Sequence, residues 1–299
     1  MSDSDLLADW VRAAGRVAVL SGAGLSTESG IPDYRGSTGA ARPATPMTVQ
    51  VFRGSEAAQQ RYWSRSHLGW RTIARARPND GHRAVASLQQ LGRLTGTITQ
   101  NVDGLHQAAG ATGVLELHGN LDRVLCLRCG EVSSREALDV RLREANPHWQ
   151  GRVGSIKPDG DVEIEAAGPG SPADDVPEAG FHIVACQICA GMLKPDVVFF
   201  GETVPPHRVA ACFETVEQAG GLLVLGSSLT VMSGYRFVLR ASKLGIPVAI
   251  VNQGPTRGDG HAGLRLDAPL GQVLQAATQR LGGPPSPVSH GTRTVQSQA

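Results

Sequence analysis

At 299 residues the chain is long enough for one large domain and a smaller module. The charges almost cancel, leaving a formal net +1, and aromatics make up 4%, so neither electrostatics nor base stacking argues for nucleic acid or a membrane surface. No apolar run is long enough to span a bilayer, and the acidic segment Met1–Trp10 has neither a signal-peptide pattern nor an Arg-rich presequence character. The expectation is a soluble cytoplasmic protein, in which clustered cysteines point to metal rather than disulfides.

The elements in chain order describe an α/β protein. Asp5–Ala14 has helical apolar spacing, and Arg16–Leu20 is a short β-branched run that reads as a buried strand. It leads straight into Ser21-Gly22-Ala23-Gly24, the way a doubly wound sheet begins. Gly39–Trp70 opens with Pro, Thr and Gly and turns helical around Tyr62, Trp63 and Trp70. A helix over His82–Leu91 precedes a strand over Thr95–Thr99. Leu121–Met192 is bracketed by cysteine pairs and holds a Gly/Pro/acid-rich run, Lys157–Gly180. Further strands are expected at Val197–Phe200, Leu222–Leu225 and Val248–Val251, and helices at Arg208–Gln218, Tyr235–Lys243 and Gln272–Leu281. Strand and helix alternate, which predicts a Rossmann-like, mostly parallel sheet covered on both faces, with a smaller zinc-binding module and a helical insertion. The expected division is residues 1–120 and 193–282 for the sheet domain (insertion about 40–78), 121–192 for the module, and a disordered Pro/Ser/Thr/Gln-rich tail at 283–299.

Two sequence features carry chemistry. Cys126-x-x-Cys129 and Cys186-x-x-Cys189 can each chelate one metal, and together they complete a tetrahedral S4 shell. Zinc is expected, and structurally so, because four thiolates leave no open position. Buried structural thiols or a redox pair are the alternatives, which a doubled CxxC disfavours. Cys212 stands alone and reads as core. The second feature is the glycine-rich string Gly22–Gly36, GAGLSTESGIPDYRG, whose small side chains let backbone N–H groups reach a pyrophosphate. It is not the dehydrogenase fingerprint, since Thr27 stands where the third glycine belongs and no acid lies at 40–45 to hold a ribose.

The same string resembles the signature loop of the sirtuins, the NAD-dependent protein lysine deacylases. Thr99–His106 resembles their TQN-x-D-x-LH block, Glu116–Asn120 their ELHG block, and Lys194–Glu202 their (R/K)P-x-VVFFGE block. Gly226–Val231 and Val251–Gly254 resemble two late NAD blocks. The resemblance implies NAD as co-substrate, one structural zinc, and acyl-lysine proteins or peptides as partners. Free lysine, nicotinamide and an O-acyl-ADP-ribose are the implied products. His118 is implied as the base that activates a ribose hydroxyl, a task suited to an imidazole near neutral pKa. Asp103 is implied to hold the nicotinamide amide with the backbone near Ile31, and Gln100 and Asn101 to position the ribose and reacting waters. Gly22, Ala23, Gly24, Ser26, Thr27, Asp33, Tyr34, Arg35 and Val102 would surround the phosphates and nicotinamide ribose, Arg35 through its bidentate fork. Gly226, Ser227, Ser228, Asn252, Gln253 and Gly254 would hold the adenosine half, with the backbone near Leu270 against the adenine. Val198 and Phe199 would line an apolar tunnel for the lysine stem, in competition with a plain packing role. The Gly226 block would offer an edge that pairs with the substrate peptide.

The Gly226–Phe237 stretch and the pair Arg61–Arg65 and Gly69-Trp70 look like the class II branch, which includes bacterial members and a mitochondrial lipoamidase and ADP-ribosylating relative. Tyr62-x-x-Arg65 also resembles the pair another branch uses for succinyl-lysine; the alternative is an exposed helix face. Tyr34 in place of Phe, and Met232-Ser233-Gly234 in place of a Pro-containing stretch, depart from the common pattern. His67, His148, His207 and His290 are expected at the surface. A mono-ADP-ribosyltransferase using the same site, and a non-catalytic NAD-binding zinc scaffold, are the rival readings.

Overall fold

The computed structural model describes residues 1–34, 47–149, 153–156, 162–164 and 180–282. Arg35, the start of the insertion, most of the Lys157–Gly180 run and the tail from 283 lie outside the described residues. In chain order the elements are α1 (Asp3–Ala14), β1 (Val17–Ser21), α2 (Val49–Gly54), α3 (Glu56–Arg75), α4 (Asp80–Gln90), β2 (Leu94–Thr99) and α5 (Leu105–Ala108). There follow β3 (Leu115–Glu116), β4 (Gly119–Cys126), β5 (Val132–Ser134), α6 (Arg135–Ala145), β6 (Val153–Ile156), β7 (Val162–Ile164) and β8 (Leu193–Val197). The chain continues with α7 (Pro206–Glu217), β9 (Gly221–Leu225), α8 (Met232–Lys243), β10 (Val248–Val251), β11 (Leu264–Leu266) and α9 (Leu270–Arg280). None of the helices searched is long and apolar enough to cross a membrane.

The main sheet has the order β11-β10-β9-β1-β2-β3, and every pairing in it is parallel. The central strands β1, β9 and β10 are buried on both faces, which explains their unbroken apolar runs. Alternation along each strand sorts the side chains into two cores. Val17, Val19, Leu223, Leu225, Ala249 and Val251 pack with α1, α4 and α9, whereas Ala18, Leu20, Leu222, Val224 and Ile250 pack with α7 and α8. Successive strands run outward from β1 in one direction to β3, and from β9 in the other to β11. The order therefore reverses between β1 and β9, where open α/β sheets leave a ligand crevice at the strand carboxyl ends.

Helix starts come earlier than the apolar spacing predicts, because caps set them. Ser2 and Asp5 form a capping box, so α1 begins at Asp3 rather than Asp5. Asn79 accepts from Gly81 N and His82 N, so α4 begins at Asp80 rather than His82.

The small module is built on an antiparallel sheet, β5-β4-β8. Its core and that of the helical insertion are one: Phe52, Tyr62 and Trp63 pack with Leu121, Val124, Leu138, Leu142, Phe181 and Leu193. The expected parallel-sheet strand at Val197–Phe200 is not there. Leu193–Val197 pairs antiparallel with β4 instead, and Phe200 makes only an isolated bridge to Thr48. An apolar run cannot say which sheet it joins; here Gly201 (φ 77°) and the Lys194–Glu202 ion pair at 3.1 Å turn the chain away. His67 is likewise buried rather than at the surface, with Nδ1 2.9 Å from Asp139 Oδ1 across the α3–α6 contact.

Candidate active site

Over its described residues, Gly22–Tyr34, the glycine string forms no α-helix. Two 3₁₀ turns, Ala23–Leu25 and Thr27–Ser29, follow β1. The glycines serve a close approach between two backbones at the switch point. Gly22 N donates to Leu225 O (2.9 Å) and Gly24 N to Gly226 O (2.8 Å). A Cβ on Gly22 would lie 2.7 Å from Ser227 Cβ, one on Gly24 would lie 2.9 Å from Gly226 O, and one on Gly226 would lie 2.6 Å from the Gly24 carbonyl carbon. Gly226 also has φ 60°, which side chains rarely adopt.

Beneath this interlock lies a buried polar network. Asn101 Nδ2 donates to Gly22 O (3.0 Å) and to Ser26 Oγ (3.0 Å), and Ser26 Oγ donates to Asp103 Oδ2 (2.7 Å). Asp103 Oδ1 accepts Leu105 N at 2.9 Å. Burial pushes the Asp103 carboxyl above its ordinary value. Two histidines close the floor with ring centroids 5.1 Å apart. His106 Nε2 lies 2.8 Å from Ser21 Oγ, and His82 Nε2 lies 3.5 Å from Ser26 Oγ. Burial pulls them down to about 4 and about 2, respectively, so both are neutral. Neither was assigned a role from sequence, although His106 ends the Thr99–His106 block.

His118 sits between β3 and β4, where the sheet passes into the module. Its Nδ1 is 2.9 Å from Gln100 O, and a carbonyl can only accept, so Nδ1 carries the proton in the neutral ring. Nε2 then keeps its lone pair, and Ser233 Oγ donates to it at 2.9 Å. Burial, then Arg208 and Arg236, lower the His118 pKa, against the Gln100 carbonyl that raises it. Gln100 Nε2 also reaches Ser227 Oγ at 2.8 Å. Ser233 is a contact that sequence reasoning did not assign.

The structure thus brings Gly22, Gly24, Ser26, Gln100, Asn101, Asp103, His118, Gly226 and Ser227 into one connected cluster at the carboxyl ends of β1, β2 and β9. Ile31 is buried beside it, Ala23, Val102 and Asp33 are half-buried, and Tyr34 is exposed. Thr27 and Asn252 spend their side chains on their own turns, on Gly24 O and on Gln253 O and Gly254 O. Ser228 Oγ bonds Thr230 Oγ1 (3.2 Å), and Leu270 opens α9, whose Gly271 N is taken by Glu28 (3.0 Å). Val198 N donates to His118 O at 2.8 Å, which ties the expected tunnel segment to the His118 backbone. Phe199 is buried against Tyr62 and Phe52, ring centroids 5.2 and 5.3 Å away. Tyr62 is therefore core-facing rather than on an exposed face, while Arg65 is half-buried.

The four cysteines of the two CxxC pairs converge, all Sγ atoms lying within 4.8 Å of one another, with Cys126–Cys189 at 3.5 Å and Cys129–Cys186 at 3.8 Å. A tetrahedral zinc with Zn–S of about 2.3 Å requires S–S edges of about 3.8 Å, so the donor set fits. Backbone N–H groups at Cys129 and Arg128 help hold the Cys126 thiol down to about 6. Cys212 is fully buried in the α7 side of the main core, as expected.

The Sir2 family model matches residues 22–233. NAD-dependent protein deacetylase 1 of Streptomyces coelicolor is 57% identical over 276 residues, covering 92% of this chain and 89% of the relative. NAD-dependent protein deacetylase 1 of Mycobacterium avium is 49% identical, covering 91% and 93%. A solved structure of Sir2 with a p53 peptide and NAD+ superposes with a TM-score of 0.73 at 27% identity, covering 94% of this chain and 99% of that one. Sir2 bound to acetylated peptide gives 0.70 at 25% identity, with 94% and 99% covered.

Proposed function

The chain belongs to the Sir2 family, and from that premise we propose that it is an NAD-dependent protein lysine deacylase whose base is His118. Bound NAD supplies the ribose carbon that the acyl oxygen attacks as nicotinamide departs, and the ribose hydroxyl that finally accepts the acyl group. The chain's own residues bind, orient and deprotonate. The interlocked loops at Gly22–Gly24 and Gly226 present backbone where a pyrophosphate approaches closely. Asp103, held by Ser26 and Leu105 N, takes the nicotinamide amide together with the backbone at Ile31. Asn101 and Gln100 lie on the ribose side, and the turns at Ser228 and Asn252–Gly254 take the adenosine half. Val198 and Phe199 wall the lysine stem and exclude water from it. His118 then removes a proton from a ribose hydroxyl through Nε2.

The observation that carries this reading is the His118 geometry. Gln100 O fixes the tautomer, and burial keeps the ring neutral, which leaves one basic nitrogen facing the cleft. The four-cysteine site lies in the module and serves folding, since a closed S4 shell has no position for substrate. A reducing cytoplasm suits its thiolates. The class II branch fits the Gly226–Phe237 stretch.

The test is nicotinamide release from NAD with acetyl-, succinyl-, glutaryl-, lipoyl- and long-acyl-lysine peptides, wild type beside His118→Tyr. Release that requires both an acyl peptide and His118, with O-acyl-ADP-ribose among the products, is the expected result. ADP-ribose attached to protein instead would replace the reading with ADP-ribose transfer.

A further inference from the structure

His118 is bracketed from both ends, and the second bracket is peculiar to the Met232-Ser233-Gly234 turn. Gln100 takes part in both. Its backbone carbonyl holds His118 Nδ1, and its side chain packs under the first turn of α8. A Cβ on Gly234 would lie 2.8 Å from Gln100 Cδ, so a side chain there would have to push the Gln100 amide aside. That placement delivers Ser233 Oγ to within 2.9 Å of His118 Nε2. Val231, the residue ahead of α8, provides no side-chain cap, so the Ser233 hydroxyl meets the imidazole in a turn with no other side-chain cap.

We propose that Ser233 is a positioning residue for the acyl-transfer step: its hydroxyl aims the His118 Nε2 lone pair at the incoming ribose hydroxyl and then stabilises the imidazolium that forms. The proposal rests on the deacylase reading above. In the resting enzyme Ser233 O–H donates to Nε2, which keeps the ring from turning and keeps Nε2 unprotonated. When the ribose hydroxyl arrives it displaces the Ser233 O–H from Nε2; its own O–H bond breaks, the proton bonds to Nε2, and the ribose oxygen bonds to the acyl carbon. The Ser233 hydroxyl rotates about Cβ–Oγ and turns an oxygen lone pair to the new Nε2–H. Serine ends the step with the proton it began with, so no further reactant is needed. A hydroxyl can play both parts because it is donor and acceptor at once. The charged groups acting on this imidazole are Arg208 of α7 and Arg236 of α8, both of which disfavour its protonation. A partner that can accept from the imidazolium offsets them.

Two readouts on the full-length protein test this. The first is the titration of His118 followed by imidazole nitrogen NMR in the resting enzyme, in wild type, Ser233→Ala and Ser233→Thr. The bond that Ser233 Oγ accepts from the imidazolium is charge-assisted and stronger than the one it gives the neutral ring, so Ser233→Ala should lower the His118 pKa by about half to one unit, and Ser233→Thr should restore it. The second is the rate of O-acyl-ADP-ribose formation beside exchange of labelled nicotinamide into NAD with the same acyl peptide. Exchange reverses the first bond-breaking step and does not call on the base. Ser233→Ala should lower acyl transfer by about three- to tenfold and lower exchange by less, whereas a collapsed site would lower both alike. An unmoved His118 titration, or equal losses in the two reactions, overturns the proposal. If the wild-type protein transfers no acyl group, the deacylase reading falls, while the NMR titration still decides the Ser233–His118 bond.

Discussion

The interlock between Gly24 and Gly226 can be tested by adding one methyl group. Gly226 sits at φ 60°, and a Cβ there would stand 2.6 Å from the Gly24 carbonyl carbon and closer still to Leu25 N. Ordinary contact begins at 3.4 Å, so the two loops must part by about 1 Å in Gly226→Ala to clear Leu25 N. Parting them stretches the 2.8 Å bond from Gly24 N to Gly226 O, a buried backbone bond whose loss costs about 1–3 kcal/mol. The left-handed backbone adds about 1–2 kcal/mol for any residue with a side chain. Gly245→Ala is the matched control, with φ 70° and nothing within 4 Å of its Cβ. It should cost only the backbone part, about 1–2 kcal/mol. Urea unfolding measures both variants, and calorimetric NAD titration measures the site. Gly226→Ala should lose about 2–5 kcal/mol and bind NAD at least about tenfold more weakly, an effect worth about 1.4 kcal/mol or more. Equal destabilisation by the two variants, or wild-type NAD affinity in Gly226→Ala, would refute the claim that glycine is needed there for loop approach.

Other outcomes follow from the same geometry. Burial pulls His106 down to about 4 and His82 down to about 2 from the 6.5 of the unfolded chain, so below pH 6.5 the unfolded state binds protons that the fold refuses. Their stabilisation is therefore full above that pH and is lost as pH falls, with a slope of about 1.4 kcal/mol per pH unit for each histidine. His106→Asn should remove about one proton from the slope measured by urea unfolding between pH 6 and 5, and an unchanged slope would count against the buried neutral pair. Chelating zinc, or Cys186→Ser, should lower the unfolding temperature and open the Cys126–Cys189 module to protease, since a structural S4 site contributes folding free energy; chelated protein that stays folded but inactive would contradict that role. Arg65→Met tests the resemblance of Tyr62-x-x-Arg65 to an acidic-acyl pair, with succinyl- and glutaryl-lysine turnover expected to fall about tenfold more than acetyl-lysine turnover. Equal change across acyl types would sink it.

The sequence carried the sheet strands because their signal is local. Val17–Leu20, Leu222–Leu225 and Val248–Val251 are apolar on both faces, which only a covered parallel strand requires. Leu264–Leu266 and Leu115–Glu116 were missed because a three-residue or two-residue edge strand has no period to detect. Helix starts were missed by two residues where a cap, rather than apolar spacing, sets them. Val197–Phe200 was placed in the wrong sheet because pairing depends on partners distant in the chain. The surface assignment of His67 failed for a related reason. A histidine on a polar-looking helix is buried only because α6 brings Asp139 against it and Phe181 packs on its ring, while Arg135 of α6 sits buried over the Trp63 and Trp70 rings at 5.5 and 4.7 Å.

At the site, residue identity was legible while the physical reason for it often was not. The glycines at 22 and 24 suggest phosphate, yet without any ligand they are already required by the Gly226 backbone facing them. Both demands fall on the same atoms: a loop thin enough to pass another backbone is also thin enough to pass a pyrophosphate. The histidines divide in the same way. His82 and His106 are buried and His118 is half-buried, yet all three are shifted downward, so a lowered pKa alone does not mark the proposed base. Hydrogen bonding separates them. His106 Nε2 faces a serine inside the floor of the site, and His82 Nε2 faces another, so the protons of those two rings stay within the protein. Only His118 has its Nδ1 pinned by a carbonyl while its Nε2 meets a hydroxyl carried on a different helix, one that can yield to a substrate hydroxyl. What distinguishes the proposed catalytic imidazole from the structural ones here is a replaceable partner, and no spacing along the chain records that.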